Sequence, residues 1–306
     1  VGSLALGLAG SALPVYLAIF LLGLASATTN GTGMTYYSNV GGPGFRGTAM
    51  AVFSASLLGG QAIGPAVGGL IATVGDWRLA MYVAAGVASV LMVGMTLGTR
   101  ANRSKTVTST VDPPVPGSGG EIPWWVTALV HSVPFVVFMT LGSVPQTLVP
   151  IVGSDQLGLS AAGIGLGLGA GGLARFIGTI IGGRLSDLVS RKAVLVPGLL
   201  GQAIGVGILA FPLTLVSWVA AIVLMSLASY AVSVAATVVG DLADPSRVGT
   251  HLGRFRFWGD IGLVVGPITI SAIYERAGSS AAFLVVAGLL TAVGLACLKL
   301  LPETGR

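Results

Sequence analysis

Charge is missing from most of this chain, in runs long enough to cross a lipid bilayer. Asp, Glu, Lys and Arg make up only 8% of the 306 residues, against about 25% in an ordinary soluble domain. A helix needs about 20 apolar residues to span the hydrocarbon core. By that rule the chain divides into a partial segment at 1–13 and further segments near 15–38, 47–74, 79–98, 123–151, 160–183, 193–212, 214–239, 255–275 and 280–301. A mean hydropathy of +0.93 agrees. The 48 glycines suit membrane helices, where small residues let backbones touch. The pattern predicts an all-α polytopic membrane protein, multi-pass in the cell membrane, with about ten segments and the lipid bilayer as its surroundings.

Few kinds of chemistry remain open. A single cysteine, Cys297, excludes a disulfide framework and a Cys-built metal site. Two histidines, His131 and His251, are too few for a His-built metal centre. No Ser/His/Asp order with a glycine elbow, no paired carboxylates and no phosphate loop occur, so neither an enzyme nor a cofactor is expected. The chain begins at Val1 without a basic n-region, shows no signal peptide, and reads as a fragment of a longer protein.

The net charge of +5 is unevenly placed. Alternate loops carry Arg46; Arg100, Arg103 and Lys105; Arg184, Arg191 and Lys192; Arg247, Arg254 and Arg256; and Lys299 and Arg306. The intervening loops carry only Arg78 and Arg276. That asymmetry assigns the basic loops to the cytoplasm and speaks for anionic lipid, with no nucleic acid as partner. The longest polar stretch, rich in Pro and Gly, predicts a cytoplasmic linker at 99–122 between an N-terminal bundle, 1–98, and a C-terminal bundle, 123–306. A shift of 202 residues aligns Gly47-Thr48 with Gly249-Thr250, Phe53 with Phe255, and Gly64-Pro65 with Gly266-Pro267. It also pairs Val83, Ala85 and Gly86 with Val285, Ala287 and Gly288, which suggests two repeats of the same orientation.

The densest polar knot is Gly183-Arg184-Leu185-Ser186-Asp187-Leu188-Val189-Ser190-Arg191-Lys192. It resembles the cytoplasmic signature loop of the major facilitator superfamily, Gly-x-x-x-Asp-Arg-x-Gly-Arg-Arg. Gly183, Asp187, Arg191 and Lys192 match; Leu188 and Ser190 depart from it. The resemblance implies two pseudo-symmetric six-helix bundles, of which helices three to twelve are present and the first two missing. It also implies a gating role for the loop, with Asp187 near Gly47 and Thr48 at the start of segment 47–74. A second stretch, Gly60-Gln61-Ala62-Ile63-Gly64-Pro65-Ala66-Val67-Gly68-Gly69, resembles the fifth-helix signature of the drug and metabolite antiporters of that superfamily. Pro65 there removes a helix hydrogen bond, while Gly60, Gly64, Gly68 and Gly69 offer a smooth packing face. In the segment corresponding to the fourth helix, Ile19 stands where proton-coupled members carry an Arg four residues before a Gly, here Gly23.

Polar groups inside spans are costly and mark functional candidates. Arg175 lies eight residues before Gly183, and His131 about eight residues into its segment, so both reach a similar depth. Asp260 follows Arg256 by four residues, either as an interfacial pair or as a member of a shared central cavity with Arg175 and His131. Asn30, Gln61 and Gln146 are further candidates to line that cavity, or packing groups. The resemblance implies secondary transport of a small-molecule substrate by alternating access in a monomer, with a proton as candidate coupling ion. The antiporter-like helix points to an exporter of drug-like or metabolite substrates. Uptake of a sugar or organic anion, and a non-transporting receptor or scaffold with the same fold, are the alternatives.

Overall fold

The computed structural model describes residues 2–40, 42–101, 123–243 and 248–301. The apolar runs form α1 (Gly2–Leu8), α2 (Ala12–Val40), α3 (Gly42–Val74) and α4 (Trp77–Ala101). Then come α5 (Trp124–Ser143), which continues through a π-helical turn, Val144–Leu148, into α6 (Val149–Asp155), followed by α7 (Ala161–Leu188) and α8 (Arg191–Ile208). A 3-10 turn, Ala228–Tyr230, joins α9 (Leu215–Leu227) to α10 (Ala231–Leu242), and α11 (Val248–Leu300) closes the order. No strand occurs among the described residues. Each helical stretch falls on an apolar segment expected from the sequence, and α11 runs across two of them, 255–275 and 280–301.

Element α11 needs a break. Its 53 residues would make a rod of roughly 80 Å at about 1.5 Å per residue, far beyond the ~30 Å hydrocarbon core. The break is Gly278, at φ 83° and ψ 175°, a conformation that a side chain all but forbids. Two helical halves result.

The chain separates into two compact units, Val1–Asp112 with Ala161–Gly165, and Pro113–Ser160 with Leu166–Arg306. In the second, a buried core runs through α5, α6, α8, α9, α10 and α11, and Leu168 of α7 packs against it. Val126, Val130, Val133 and Val137 supply it from α5, Leu195 and Leu199 from α8, Trp218 and Ile222 from α9, and Val234 and Val238 from α10. From α11, Phe283, Val286, Leu290 and Cys297 face inward at helical spacing and are fully buried. Small residues let α5 and α11 touch: Cβ atoms at Gly262 and Gly266 would strike the backbones of Phe135 and Met139.

Contacts at the helix ends show how this unit is wound. Gln156 donates to the Ser279 hydroxyl (3.2 Å) at one end. At the other, Arg191 meets Asp241 and Lys192 meets the Leu301 carbonyl. The end of α6 and Gly278 therefore share one end, and the C-terminal ends of α7, α10 and α11 the opposite one, as successive crossings require. Six helices among the described residues are long and apolar enough to cross a membrane. Their outer faces leave Leu173, Ile181, Val264, Ile268 and Leu284 exposed, a surface that lipid tolerates and water does not.

Candidate functional site in the C-terminal unit

The charged knot is a clasp. Ser190 begins α8 as its N-cap, accepting from the Ala193 amide at 3.2 Å. The cap aims Arg191 across the end of the unit: its Nε donates to Asp241 Oδ2 at 3.2 Å and its Nη1 to the Ser186 hydroxyl at 3.0 Å. One guanidinium thus ties the last turn of α7 to the last turn of α10. Lys192 Nζ donates to the Leu301 carbonyl at 2.9 Å, satisfying an otherwise unpaired group at the C-terminal end of α11. Gly183 lies in the last turns of α7 with open space beside its Cα. The side chain of Asp187, and that of Thr48 expected beside it with Gly47, lie outside the described residues.

Deeper in the unit, Arg175 on α7 lines a cavity of about 30 Å³ with Thr140, Gln202, Ser226 and Ser229. Thr140 already donates to the Val136 carbonyl (2.8 Å) and Ser229 to the Ser226 carbonyl (2.7 Å). Gln202, on α8 and only 5% exposed, has a buried Oε1 without a hydrogen-bond partner.

A larger cleft opens between α5 and α11. It holds about 490 Å³ and is lined by Trp124, Phe135, Trp258, His131, Arg254 and Ser132, with Thr127 and Ala128. Three aromatic faces suit a largely apolar organic ligand, and the one guanidinium offers a point of contact for negative charge. His131 is buried against this cleft, its Nδ1 facing the Thr127 carbonyl of the preceding turn. A carbonyl only accepts, so Nδ1 carries the hydrogen.

Arg175 lines the smaller cavity and His131 the cleft, and Asp260 lines neither of the two. Arg175 keeps the polar company just named. Asp260 pairs with Arg256, at 3.0 Å, on a half-exposed face of α11, where the Arg256 guanidinium also lies 5.0 Å from the Phe138 ring centre. Depth along a helix was legible from residue counts, but the face a side chain takes depends on packing that the counts do not hold. Gln146 sits exposed in the π-helical turn, and Gln61 is exposed on α3. The Asn30 side chain lies outside the described residues.

The glycine helix tells a different story in the two units. Pro65 stands inside α3, and Cβ atoms at Gly60, Gly64 and Gly68 would meet nothing within 4 Å. Gly69 packs against the backbone of Ala161 and Gly165, residues of the same unit. The 202-residue shift pairs Gly60 with Gly262 and Gly64 with Gly266, and both of those are packed tightly on α5.

Sequence reading missed Asp241, Gln202, Arg254 and the two tryptophans of the cleft. Gln202 could have been found by the argument used for Asn30, an amide isolated in an apolar span. Asp241 could not, because its partner is 50 residues away. Comparison with curated proteins gives no match. The model of the Major Facilitator Superfamily matches residues 1–147 and again 132–306, so that together the two matches cover the chain. With helices throughout, six of them fit to cross a membrane, and the basic clasp after α7, this chain belongs to the major facilitator superfamily, a family of membrane transporters.

Proposed function

We propose that the protein is a secondary active transporter that exports drug-like or metabolite molecules in exchange for a coupling ion, by alternating access. The observation that carries this reading is the α5/α11 cleft. Its volume of about 490 Å³ falls in the range of small-molecule sites, roughly 300–1,000 Å³. Aromatic walls with few polar groups suit substrates that are largely apolar. The Gly60–Gly69 stretch with Pro65 supports the antiporter branch. The basic loops, the linker 99–122 and the Arg191–Asp241 clasp then lie on the cytoplasmic side of the cell membrane.

The same reading takes this chain as helices three to twelve of a twelve-helix protein. Gly60 and Gly64, open here, would receive a helix as Gly262 and Gly266 receive α5. A second reading, uptake of an organic anion, is favoured by Arg254 in the cleft.

The test is flux in proteoliposomes, made with the full-length protein and a panel of aromatic cations, neutral drugs and aromatic carboxylates. Export of apolar substrates, with KM raised several-fold by Trp258→Ala, is the expected result. Inward accumulation of carboxylates alone, lost in Arg254→Gln, would move the assignment to the second reading. Binding without flux for every compound would make the protein a receptor or scaffold.

A further inference from the structure

Two helices of the C-terminal unit depart from α-helical geometry, and both do so against the same cavity. The π-helical turn of α5–α6 places Pro145 there, and the 3-10 turn between α9 and α10 places Ser229. Pro145 has no N–H with which to close the α-helical bond to the Leu141 carbonyl, and Leu141 lines the cavity too. The polar groups of the wall are unevenly matched. The Thr140 hydroxyl gives its hydrogen to the Val136 carbonyl (2.8 Å) and the Ser229 hydroxyl to the Ser226 carbonyl (2.7 Å), so each has only lone pairs left to offer. Gln202, 5% exposed, adds an Oε1 that no protein group meets. Thr140, Gln202 and Ser229 are buried, whereas Pro145, Arg175 and Ser226 are half-buried, so the acceptors form the floor of the cavity and Arg175 stands at its mouth.

Three acceptor oxygens call for a guest that donates. The Arg175 guanidinium repels a cation, and its N–H groups suit a guest with a lone pair of its own. Among the described residues no carboxylate lines the cavity. Its volume is about 30 Å³, where one water needs ~10–15 Å³ and about 2–4 polar partners. We propose that the cavity is a hydration site holding two water molecules, which link α5, α7, α8 and the α9–α10 junction. Their hydrogens answer Gln202, Thr140 and Ser229, and their oxygens accept from Arg175. The site does not depend on what the protein transports. Immobilising a water costs entropy that offsets much of its hydrogen bonding, so the pair alters the links between helices more than the stability of the unit. A water can turn its hydrogens to a new acceptor where a direct side-chain bond would break. The two irregular turns can thus change pitch without stranding a polar group in the floor.

Met225 makes the site readable. It lines the cavity at 2% exposure, while Met139, at 3%, lies outside it against Gly266. Brief X-ray radiolysis turns bound water into hydroxyl radicals, which oxidise a methionine beside them even where bulk solvent cannot reach. In the full chain in lipid nanodiscs, mass spectrometry is expected to find Met225 oxidised several-fold faster than Met139. Equal slow rates would mean a dry cavity, and equal fast rates a unit that opens to solvent; either result overturns the site. Gln202→Leu with Thr140→Val removes two of the acceptors and should bring Met225 down toward the Met139 rate. An unchanged rate in a folded double variant would overturn these anchors. If that variant does not fold, the wild-type rates decide together with a high-resolution density map. Two peaks within hydrogen-bond distance of the floor oxygens are expected there, and an empty cavity would overturn the site.

Discussion

Arg191 is the residue on which the end of the C-terminal unit converges. Its side chain is 15% exposed and that of Asp241 35%, so the pair is more shielded than an open surface bridge, whose value is about 0.2–1 kcal/mol. Arg191→Ala is expected to lower unfolding free energy by about 1 kcal/mol, and Asp241→Asn by a similar amount. The double variant should be scarcely worse than either single one, as read in a denaturant cycle in detergent. Additive losses would mean that Arg191 acts mainly through Ser186. At Gln202 the expectation is reversed. Gln202→Met removes an acceptor that has no protein partner and keeps the volume, so the midpoint of thermal unfolding should hold or rise. A clear fall would show that Oε1 has a protein partner within the Arg175 cavity. The sequence made the clasp visible through its charges, since four ionisable groups in ten residues cannot sit in hydrocarbon. It did not show where those charges end, because that depends on which turns of α7, α8 and α10 meet.

Among the elements, α11 combines the tightest packing with the sharpest break. At Gly262 and Gly266 any side chain collides with α5 backbone rather than with a movable side chain. Gly262→Val or Gly266→Val should therefore cost about 1–3 kcal/mol or more, measured by helix loss on titration with a denaturing detergent. Gly64→Ala in this chain should cost far less, since nothing stands within 4 Å of the added atom. Gly278→Ala should cost about 1–3 kcal/mol, because φ 83° and ψ 175° fall in a region nearly confined to glycine. The apolar segments placed the helices with little error, as length and hydrophobicity decide what can span a bilayer. They separated the two halves of α11 at about the right place, while the π-helical turn around Pro145 left no sign in hydropathy. In that turn the Thr147 hydroxyl donates to the Gly142 carbonyl five residues back, at 2.8 Å.

For the whole molecule, the alternation of helix ends can be read with reagents. Cysteines placed at Arg184 and Arg254 are expected to react with an impermeant thiol reagent from one face of the membrane, and cysteines at Asp155 and Arg276 from the other. Reaction of Arg184 and Arg276 substitutions from the same face would break the order of crossings. Such mapping is usually confused by native thiols. Here Cys297, 0% exposed in the stripe of α11 that faces the core, is the chain's one sulfhydryl. Its isolation turns it into a clock. A reagent that waits outside can modify it only when the second half of α11 swings away from its neighbours, so the rate of modification counts openings and not encounters. Extrapolated to zero denaturant, that rate would report how often the resting protein loosens its last helix, without a label having been added.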